Sequence, residues 1–327
     1  MAEIRDITFR EAITEALHEE MTRDPRILIM GEDIVAQGGV FGVHAGLDEA
    51  FPGRLLQTPI AEAGFVGMGV GAAIAGGPVV CEVMFADFMT CCMDEIINQA
   101  AKFRYMSGGQ ADVPLVVRAP CGMGRGVGAQ HTQSIEAIFA HVPGLLVAIP
   151  GTPAAAKGLL KTALRGADPV IFLEYKGLYG MKGPVSDDPE LLIPFGQGSI
   201  ERSGRDVTVV ATGSMLHRAL EAAAHLAADG IEAEVIDPRT AWPIDFDLII
   251  GSVNRTNRLV IVDEATMECS LASEIAATVG ERAFYALDAP IRRVASPHMP
   301  KPFSPKLEPV SIPQTVDILA AIRTVLS

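Results

Sequence analysis

Apolar and polar residues follow two patterns that alternate along the first half of the chain. Short apolar runs, rich in β-branched residues and without polar alternation, predict strands at 27–30, 79–84, 114–118, 145–149 and 170–174. Apolar residues at helical spacing predict helices at 9–21, 62–75, 90–106, 134–140 and 153–165. This alternation of strands and helices predicts a doubly wound α/β domain with a parallel sheet covered on both faces.

A second series of strands and helices follows a polar stretch at 182–190 that is rich in glycine, proline and aspartate. Strands are predicted at 207–212, 233–237, 259–263 and 291–294, and helices at 215–228, 271–279 and 315–326. We therefore predict an α/β protein of two doubly wound domains, 1–186 and 205–327, joined by a linker at 187–204.

Composition narrows the classes of function. The 327 residues are 49% hydrophobic, which is enough for two buried cores, and the formal net charge is −14. That charge argues against nucleic acid and anionic membranes as partners. The apolar stretch near 64–80 is rich in glycine and ends at Glu82, so it predicts a buried helix and strand and not a membrane span. The absence of an apolar leader and of a CxxC motif predicts a cytoplasmic protein with reduced thiols.

Glu62 is the one ionisable residue in the twenty-residue segment 58–77. An ionised carboxylate in apolar surroundings is costly unless it is paired, hydrogen-bonded or kept protonated. Two interpretations remain open from this segment: an acid stabilised by the dipole at a helix N-terminus, or a buried carboxylate that hydrogen-bonds a ligand.

Further candidates follow predicted strands, where open α/β sheets bind their ligands. Phe88 follows the strand at 79–84, and His131 follows a loop with glycine at 122, 124, 126 and 128. Histidine is readily tuned for proton transfer near neutral pH. The alternatives are core packing for Phe88 and helix capping for His131. The loop does not match G-x-G-x-x-G, and no phosphate-binding P-loop occurs, so the sequence argues against a self-sufficient nucleotide-binding protein.

Six ordered motifs together resemble one known family. They are GEDI (31–34), TPIAEAGF (58–65), FADF (85–88), AAKFRYMSGG (100–109), GAQHTQS (128–134) and PGTPAAAKGLLKTALR (150–165). The chain resembles the β subunit of thiamine-diphosphate-dependent E1 components of 2-oxoacid and acetoin dehydrogenase complexes. The resemblance covers essentially the whole chain and implies a transketolase-like pyrimidine-binding domain followed by a transketolase C-terminal-like domain.

The resemblance also implies roles for individual residues. Glu62 matches the carboxylate that hydrogen-bonds N1′ of the cofactor's aminopyrimidine, which favours the tautomer that removes the C2 proton of the thiazolium. Phe88 matches the aromatic residue that packs on the pyrimidine, and Met84 lies at another position of that pocket. His131 matches a histidine that assists proton transfer and reaction with the lipoyl group.

One expected motif is missing. The G-D-G motif that holds the diphosphate through Mg²⁺ does not occur in this chain. The resemblance therefore implies an obligate α subunit that supplies the Mg²⁺ ligands, in an α2β2 heterotetramer. It also suggests a structural K⁺ site formed by backbone carbonyls at Leu115, Ala163, Gly166 and Asp168. In the second domain, Asp263, Glu264 and Arg239 are candidates for subunit contacts, with helix capping or a solvated charge as the alternative.

Three hypotheses compete for the function. The leading hypothesis is an E1 β subunit that takes part in cleaving a C–C bond next to a carbonyl and in passing the acyl group to a lipoylated E2. The stretches 131–141 and 179–185 favour acetoin dehydrogenase over pyruvate dehydrogenase or another 2-oxoacid enzyme. A non-catalytic assembly subunit is the second hypothesis, and the presence of Glu62, Phe88 and His131 argues against it. The self-sufficient nucleotide-binding protein is the third.

Overall fold

The computed structural model describes residues 3–36, 38–124 and 126–327. The chain divides into two compact units. The first consists of the residues up to Cys121 together with Ile138–Phe195, and the second of Gly122–Ala137 together with Gly196–Ser327. The expected pair of α/β domains is confirmed, because each unit has a mainly parallel sheet with helices against it.

The first unit has a parallel sheet in the order β6-β7-β5-β4-β2-β3 and a small antiparallel pair, β1 with β8. The residues of β5 and β7 are buried throughout, which explains their largely apolar character, and their two charged residues, Arg118 and Glu174, pair with each other. In chain order, the elements are β1 (Ile4–Thr8), α1 (Phe9–Arg23), β2 (Leu28–Gly31), α2 (Leu47–Ala50), β3 (Leu55–Gln57), α3 (Glu62–Ala75), β4 (Val79–Glu82), α4 (Ala101–Met106), β5 (Leu115–Cys121), α5 (Glu136–Ala140, at the division between the units), β6 (Leu146–Ala148), α6 (Pro153–Arg165), β7 (Val170–Tyr175) and β8 (Lys182–Ser186).

The second unit has a sheet in the order β14-β13-β10-β11-β9, parallel except for the edge strand β9. Val209 and Val210 are neighbours on β10 and belong to apolar clusters on opposite faces of this sheet, as a doubly wound fold requires. Its elements are β9 (Ser199–Arg202), β10 (Val207–Ala211), α7 (Met215–Ala227), β11 (Ala233–Asp237), β12 (Thr240–Trp242), α8 (Phe246–Thr256), β13 (Leu259–Thr266), α9 (Leu271–Arg282), β14 (Arg292–Ser296) and α10 (Thr315–Leu326).

Apart from elements that were not predicted, such as α8 and β3, three stretches differ from the sequence prediction. The helix predicted at 90–106 is a 3₁₀ helix at Ala86–Cys92, a π-helical turn at Glu95–Ala100 and then α4. Thr90 and Cys92 each donate a side-chain hydrogen bond to the carbonyl three residues earlier, which suits the tighter 3₁₀ turn. The stretch at 182–190 begins with β8, and the predicted linker at 187–204 contains β9.

The third difference concerns the glycine loop. Gly122–Ala137 lies within the predicted domain 1–186 but belongs to the second unit. The reason is that Glu264 and Glu308 of the second unit accept hydrogen bonds from backbone N–H groups of this loop.

Among the described residues, no helix has the length and apolar character needed to cross a membrane.

Candidate active site

Glu62 is the first residue of α3, and its side chain is half-buried. The N-cap residue, Ala61, offers no side chain to cap the helix. The helix dipole therefore favours the negative charge of Glu62, as the simpler of the two sequence interpretations expects. The helix that follows is strongly apolar, so few polar groups surround this carboxylate on its own element.

A second carboxylate, Glu32, lies beside Glu62 and was missed by the sequence analysis. Glu32 follows β2, is 4% exposed and accepts a hydrogen bond from the backbone N–H of Ala61. Its Oε1 atom has no hydrogen-bond partner among the described residues. Burial and the nearby charge of Glu62 raise the pKa of Glu32 to about 7. The structure therefore brings two acids close together, and one of them has a buried oxygen without a hydrogen-bond partner among the described residues.

Met84 and Phe88 follow β4, and both side chains are half-buried. The Phe88 ring makes an edge contact with Phe85, with ring centroids 5.9 Å apart. Phe85 in turn contacts Phe41, whose ring lies 5.0 Å from that of Tyr179. Phe88 is thus the half-exposed end of an aromatic cluster, so its position fits both core packing and contact with a flat ligand ring.

A buried ionic network lies below this aromatic cluster. Arg118 on β5 makes two hydrogen bonds to Glu174 on β7, of 2.7 and 2.9 Å, and one of 3.0 Å to Glu82 on β4. Tyr179 donates its hydroxyl to Glu174 at 2.7 Å, which ties the network to the aromatic cluster. Burial and the charge of Arg118 lower the pKa of His44 to about 3, so this histidine is neutral. The network fixes three neighbouring strands under the Phe88 cluster.

His131 lies in the second unit, whereas Glu62, Met84 and Phe88 lie in the first. Its side chain is half-buried, and its backbone N–H donates to the carbonyl of Gly128 at 3.3 Å. Thr132 donates its hydroxyl to the same carbonyl at 2.8 Å. His131 therefore ends a hydrogen-bonded turn and precedes α5 by several residues.

The four positions suggested for K⁺ lie in the first unit. Ala163 is in the last turn of α6, Gly166 is its C-cap and Asp168 precedes β7. Leu115 begins the neighbouring strand β5, and the bond from Val113 N–H to the Ala167 carbonyl joins the two segments. The structure thus brings these positions onto adjacent segments. No cluster of three or more metal-ligating side chains occurs within the described residues.

The charged residues considered for subunit contacts have partners within the second unit. Asp263 is fully buried and accepts hydrogen bonds from Thr212 and from the backbone N–H of Ala272, in the first turn of α9. Burial raises the pKa of Asp263. A guanidinium nitrogen of Arg239 lies 3.8 Å from a carboxylate oxygen of Glu201. For Asp263, the structure agrees with the alternative interpretation, in which its carboxylate caps a helix, here α9.

Comparison with known proteins identifies the family. Residues 5–182 match the transketolase pyrimidine-binding domain, and residues 196–318 match the transketolase C-terminal domain. The chain belongs to the transketolase-like family of dehydrogenase E1 β subunits. A solved structure described as a split-gene transketolase, an inactive β4 tetramer, superposes with a TM-score of 0.80 at 26% identity, over 98% of this chain and 99% of that one.

Individual members of the family are similar over nearly the full length. The chain is 50% identical to the β subunit of acetoin:2,6-dichlorophenolindophenol oxidoreductase from Cupriavidus necator, over 98% of this chain and 97% of that protein. The corresponding subunit from Bacillus subtilis is 46% identical, over 98% of each chain. A mitochondrial pyruvate dehydrogenase E1 β subunit from Oryza sativa is 45% identical, over 98% of this chain and 87% of that protein.

Proposed function

We propose that the chain is the β subunit of a thiamine-diphosphate-dependent E1 enzyme that acts on acetoin. The observation that carries the proposal is the half-buried Glu62 beside Glu32, in the same unit as the half-exposed ring of Phe88. A carboxylate and an aromatic face are the groups that an aminopyrimidine needs for its ring nitrogen and its flat surface. The Oε1 atom of Glu32, which has no hydrogen-bond partner in the described part of the chain, adds a buried acceptor. The residues therefore fit the pyrimidine half of the cofactor.

Within this proposal, Glu62 would share a proton with N1′ of the aminopyrimidine: when protonated it would donate a hydrogen bond to N1′, and as a carboxylate it would accept one from N1′–H. When bound, thiamine diphosphate supplies an electron sink for cleaving a C–C bond next to a carbonyl. Phe88 packs on the pyrimidine ring, and Met84 borders the same pocket. Because burial and the charge of Glu62 raise the pKa of Glu32 to about 7, Glu32 takes up a proton near neutral pH.

His131 completes the proposed machinery as a proton donor and acceptor for the substrate and the acyl acceptor. Acyl transfer would go to the lipoyl group of an E2 subunit. An α subunit, in an α2β2 arrangement, would hold the diphosphate through Mg²⁺, since this chain has no G-D-G motif. A K⁺ ion bound by carbonyls at Leu115, Ala163, Gly166 and Asp168 is a further part of the proposal, as is a cytoplasmic location.

The choice of acetoin rests on the relatives. Two β subunits of acetoin:2,6-dichlorophenolindophenol oxidoreductase share 50% and 46% of their residues with this chain. Pyruvate is the second candidate, because pyruvate dehydrogenase β subunits reach 45% identity. Reduction of 2,6-dichlorophenolindophenol by the α–β complex, with acetoin or pyruvate supplied in turn, separates the two. Faster reduction with pyruvate would overturn the choice of acetoin.

Substitution Glu62→Gln tests the proposed role of the carboxylate. Glutamine keeps a hydrogen-bonding group of similar size but cannot take up a proton. We expect the complex to keep cofactor affinity within a few-fold, while acetoin-dependent dye reduction and C2–H exchange of bound cofactor fall by about 10²–10⁴-fold. Glu49→Gln, an exposed acid in the same unit, is the control and should leave both rates unchanged. Full activity of the Glu62→Gln complex would exclude this function for Glu62.

A further inference from the structure

The loop that carries His131 has a backbone that needs to be held in place. Four alternate glycines adopt positive φ, namely Gly122 (71°), Gly124 (128°), Gly126 (61°) and Gly128 (79°). Residues with side chains rarely adopt these conformations, and glycine loses more conformational entropy than other residues when it is ordered. A stretch of this kind stays ordered when external groups bind its backbone N–H donors.

Two carboxylates of the second unit bind those donors. Glu308 accepts hydrogen bonds from the N–H groups of Gly124 at 3.0 Å and Gly126 at 3.3 Å. Glu264, which is 2% exposed, accepts from the N–H of Met123 and from the hydroxyl of Ser214. Hydrogen bonds to an ionised acceptor are about twice as strong as bonds between neutral groups. The loop is therefore fixed from one side, by negative charge.

Glu308 belongs to a segment that we name the strap, residues 297–313 between β14 and α10. The strap is held by its own polar contacts: Lys301, which is almost fully buried, donates to the carbonyl of Ser311 at 2.7 Å. The Ser311 hydroxyl donates to the carbonyl of Glu308 at 2.8 Å, and the Glu308 N–H donates to the carbonyl of Ser304 at 2.9 Å. The position of the Glu308 carboxylate is thus determined by the strap.

The strap also packs directly against the glycines. A Cβ atom on Gly126 would lie 3.1 Å from the carbonyl oxygen of Phe303, and one on Gly128 would lie 3.7 Å from the Phe303 side chain. Gly128 is the residue whose carbonyl accepts hydrogen bonds from both His131 and Thr132. A continuous set of contacts therefore runs from the strap, through Gly126 and Gly128, to His131.

We propose that Glu308 is a positioning residue for His131: by binding the N–H groups of Gly124 and Gly126, it keeps the glycine loop in the conformation from which His131 transfers protons. This inference rests on the proposed function of His131. Glu308 does not itself touch substrate or cofactor in this scheme. Losing its carboxylate would loosen the loop while leaving the Glu62 site of the first unit unchanged.

The test compares Glu308→Ala and the milder Glu308→Gln with the control Glu281→Gln, an exposed glutamate of the same unit. Hydrogen exchange of the assembled α–β complex, followed by mass spectrometry, reports on peptides that cover 122–134. We expect exchange there to accelerate at least 10-fold in Glu308→Ala, less in Glu308→Gln and not at all in the control. Unchanged exchange in both Glu308 variants would overturn the proposal. If Glu308→Ala does not fold, Glu308→Gln decides.

A double-mutant comparison separates positioning from a general loss of structure. We expect Glu308→Ala to lower kcat by up to about 100-fold with an unchanged affinity for thiamine diphosphate, because a displaced catalytic group slows the reaction. In a His131→Ala background, Glu308→Ala should cause no further loss, and an additional loss of similar size would contradict the proposal. If His131→Ala alone keeps full activity, the role assigned to His131 fails, while the exchange result still reports on the loop.

Discussion

At the scale of single residues, the candidate site consists of two acids with different surroundings. Glu62 is half-buried at the start of a helix, where the dipole favours its charge. Glu32 is buried, and one of its oxygens has no hydrogen-bond partner among the described residues. A buried acid next to a second acid lowers the free energy of unfolding of the isolated chain. Such destabilisation is typical of groups kept for binding or catalysis.

The raised pKa of Glu32 gives a pH-dependent prediction. Below about pH 4.5, the usual pKa of glutamate, Glu32 is protonated in both the folded and the unfolded chain and carries no charge penalty. The free-energy cost of burying the ionised Glu32 carboxylate grows as the pH rises towards its folded pKa of about 7 and reaches its full size above that pH. We therefore expect Glu32→Gln to raise the thermal unfolding midpoint at pH 8 by about 2–4 °C, with little change at pH 4.5.

Thermal unfolding of Glu32→Gln and of the control Glu49→Gln across this pH range measures the effect. The control replaces an exposed acid and should follow the unsubstituted chain at every pH. A stabilisation by Glu32→Gln that is equal at pH 4.5 and pH 8 would show that burial of the charge is not its cause.

Some residues of the candidate site could be predicted from the sequence, and one could not. Glu62 could be identified because it is the one ionisable residue of an apolar segment, and Phe88 and His131 because they follow predicted strands. Glu32 also follows a strand, but nothing in its own segment indicates that it is buried. Its burial and its closeness to Glu62 arise from the packing of β2 against the segment before α3, which a pattern along the chain does not contain.

At the scale of secondary-structure elements, α3 holds Glu62 in place through close packing on the sheet. A Cβ atom on Gly69 would lie 2.4 Å from the sulfur of the buried Cys81 on β4, closer than the atoms can approach. Gly71 lies on the same helix, and none of the described residues comes within 4 Å of a Cβ atom placed there. Glycine at position 69 is therefore explained by the close approach of the helix to the strand.

Two substitutions in this helix should have opposite effects on stability. We expect Gly69→Ala to lower the free energy of unfolding by about 1–3 kcal/mol, because the added methyl group overpacks a buried contact. Gly71→Ala should raise it by about 0.5–1 kcal/mol, because alanine favours a helix and the site has room. Chemical denaturation of the two variants checks both signs, and a stable Gly69→Ala chain would contradict the close packing described here.

A comparison of predicted and observed helix bounds shows which helices the sequence patterns predict correctly. The helices at 62–75 and 153–165 begin and end where the sequence predicts, the second because Thr152 caps it and Pro153 opens it. The helix predicted at 90–106 changes type along its length, and in its 3₁₀ part the side chains of Thr90 and Cys92 bond to carbonyls three residues earlier. Competition of this kind between side chains and the backbone helix is not visible in apolar spacing.

At the scale of the whole molecule, the chain contains two α/β units, with Glu62, Met84 and Phe88 in the first and His131 in the second. The sequence predicted both units, with Gly122–Ala137 inside the predicted domain 1–186, and the pyrimidine-binding domain match at 5–182 also includes these residues. Their contacts nevertheless group them with the second unit, through Glu264 and Glu308, which lie more than a hundred residues further along. Hydrogen bonds over such separations have no local pattern in the sequence.

We propose that this chain carries the pyrimidine half of a thiamine diphosphate site and that an α subunit carries the diphosphate half. Isothermal titration calorimetry with thiamine diphosphate and Mg²⁺ tests it most directly, first on the isolated chain and then on the chain mixed with candidate α subunits. The account predicts no measurable binding to the isolated chain and tight, saturable binding to the α–β complex. Tight binding by the isolated chain, or no binding by any α–β complex, would contradict it.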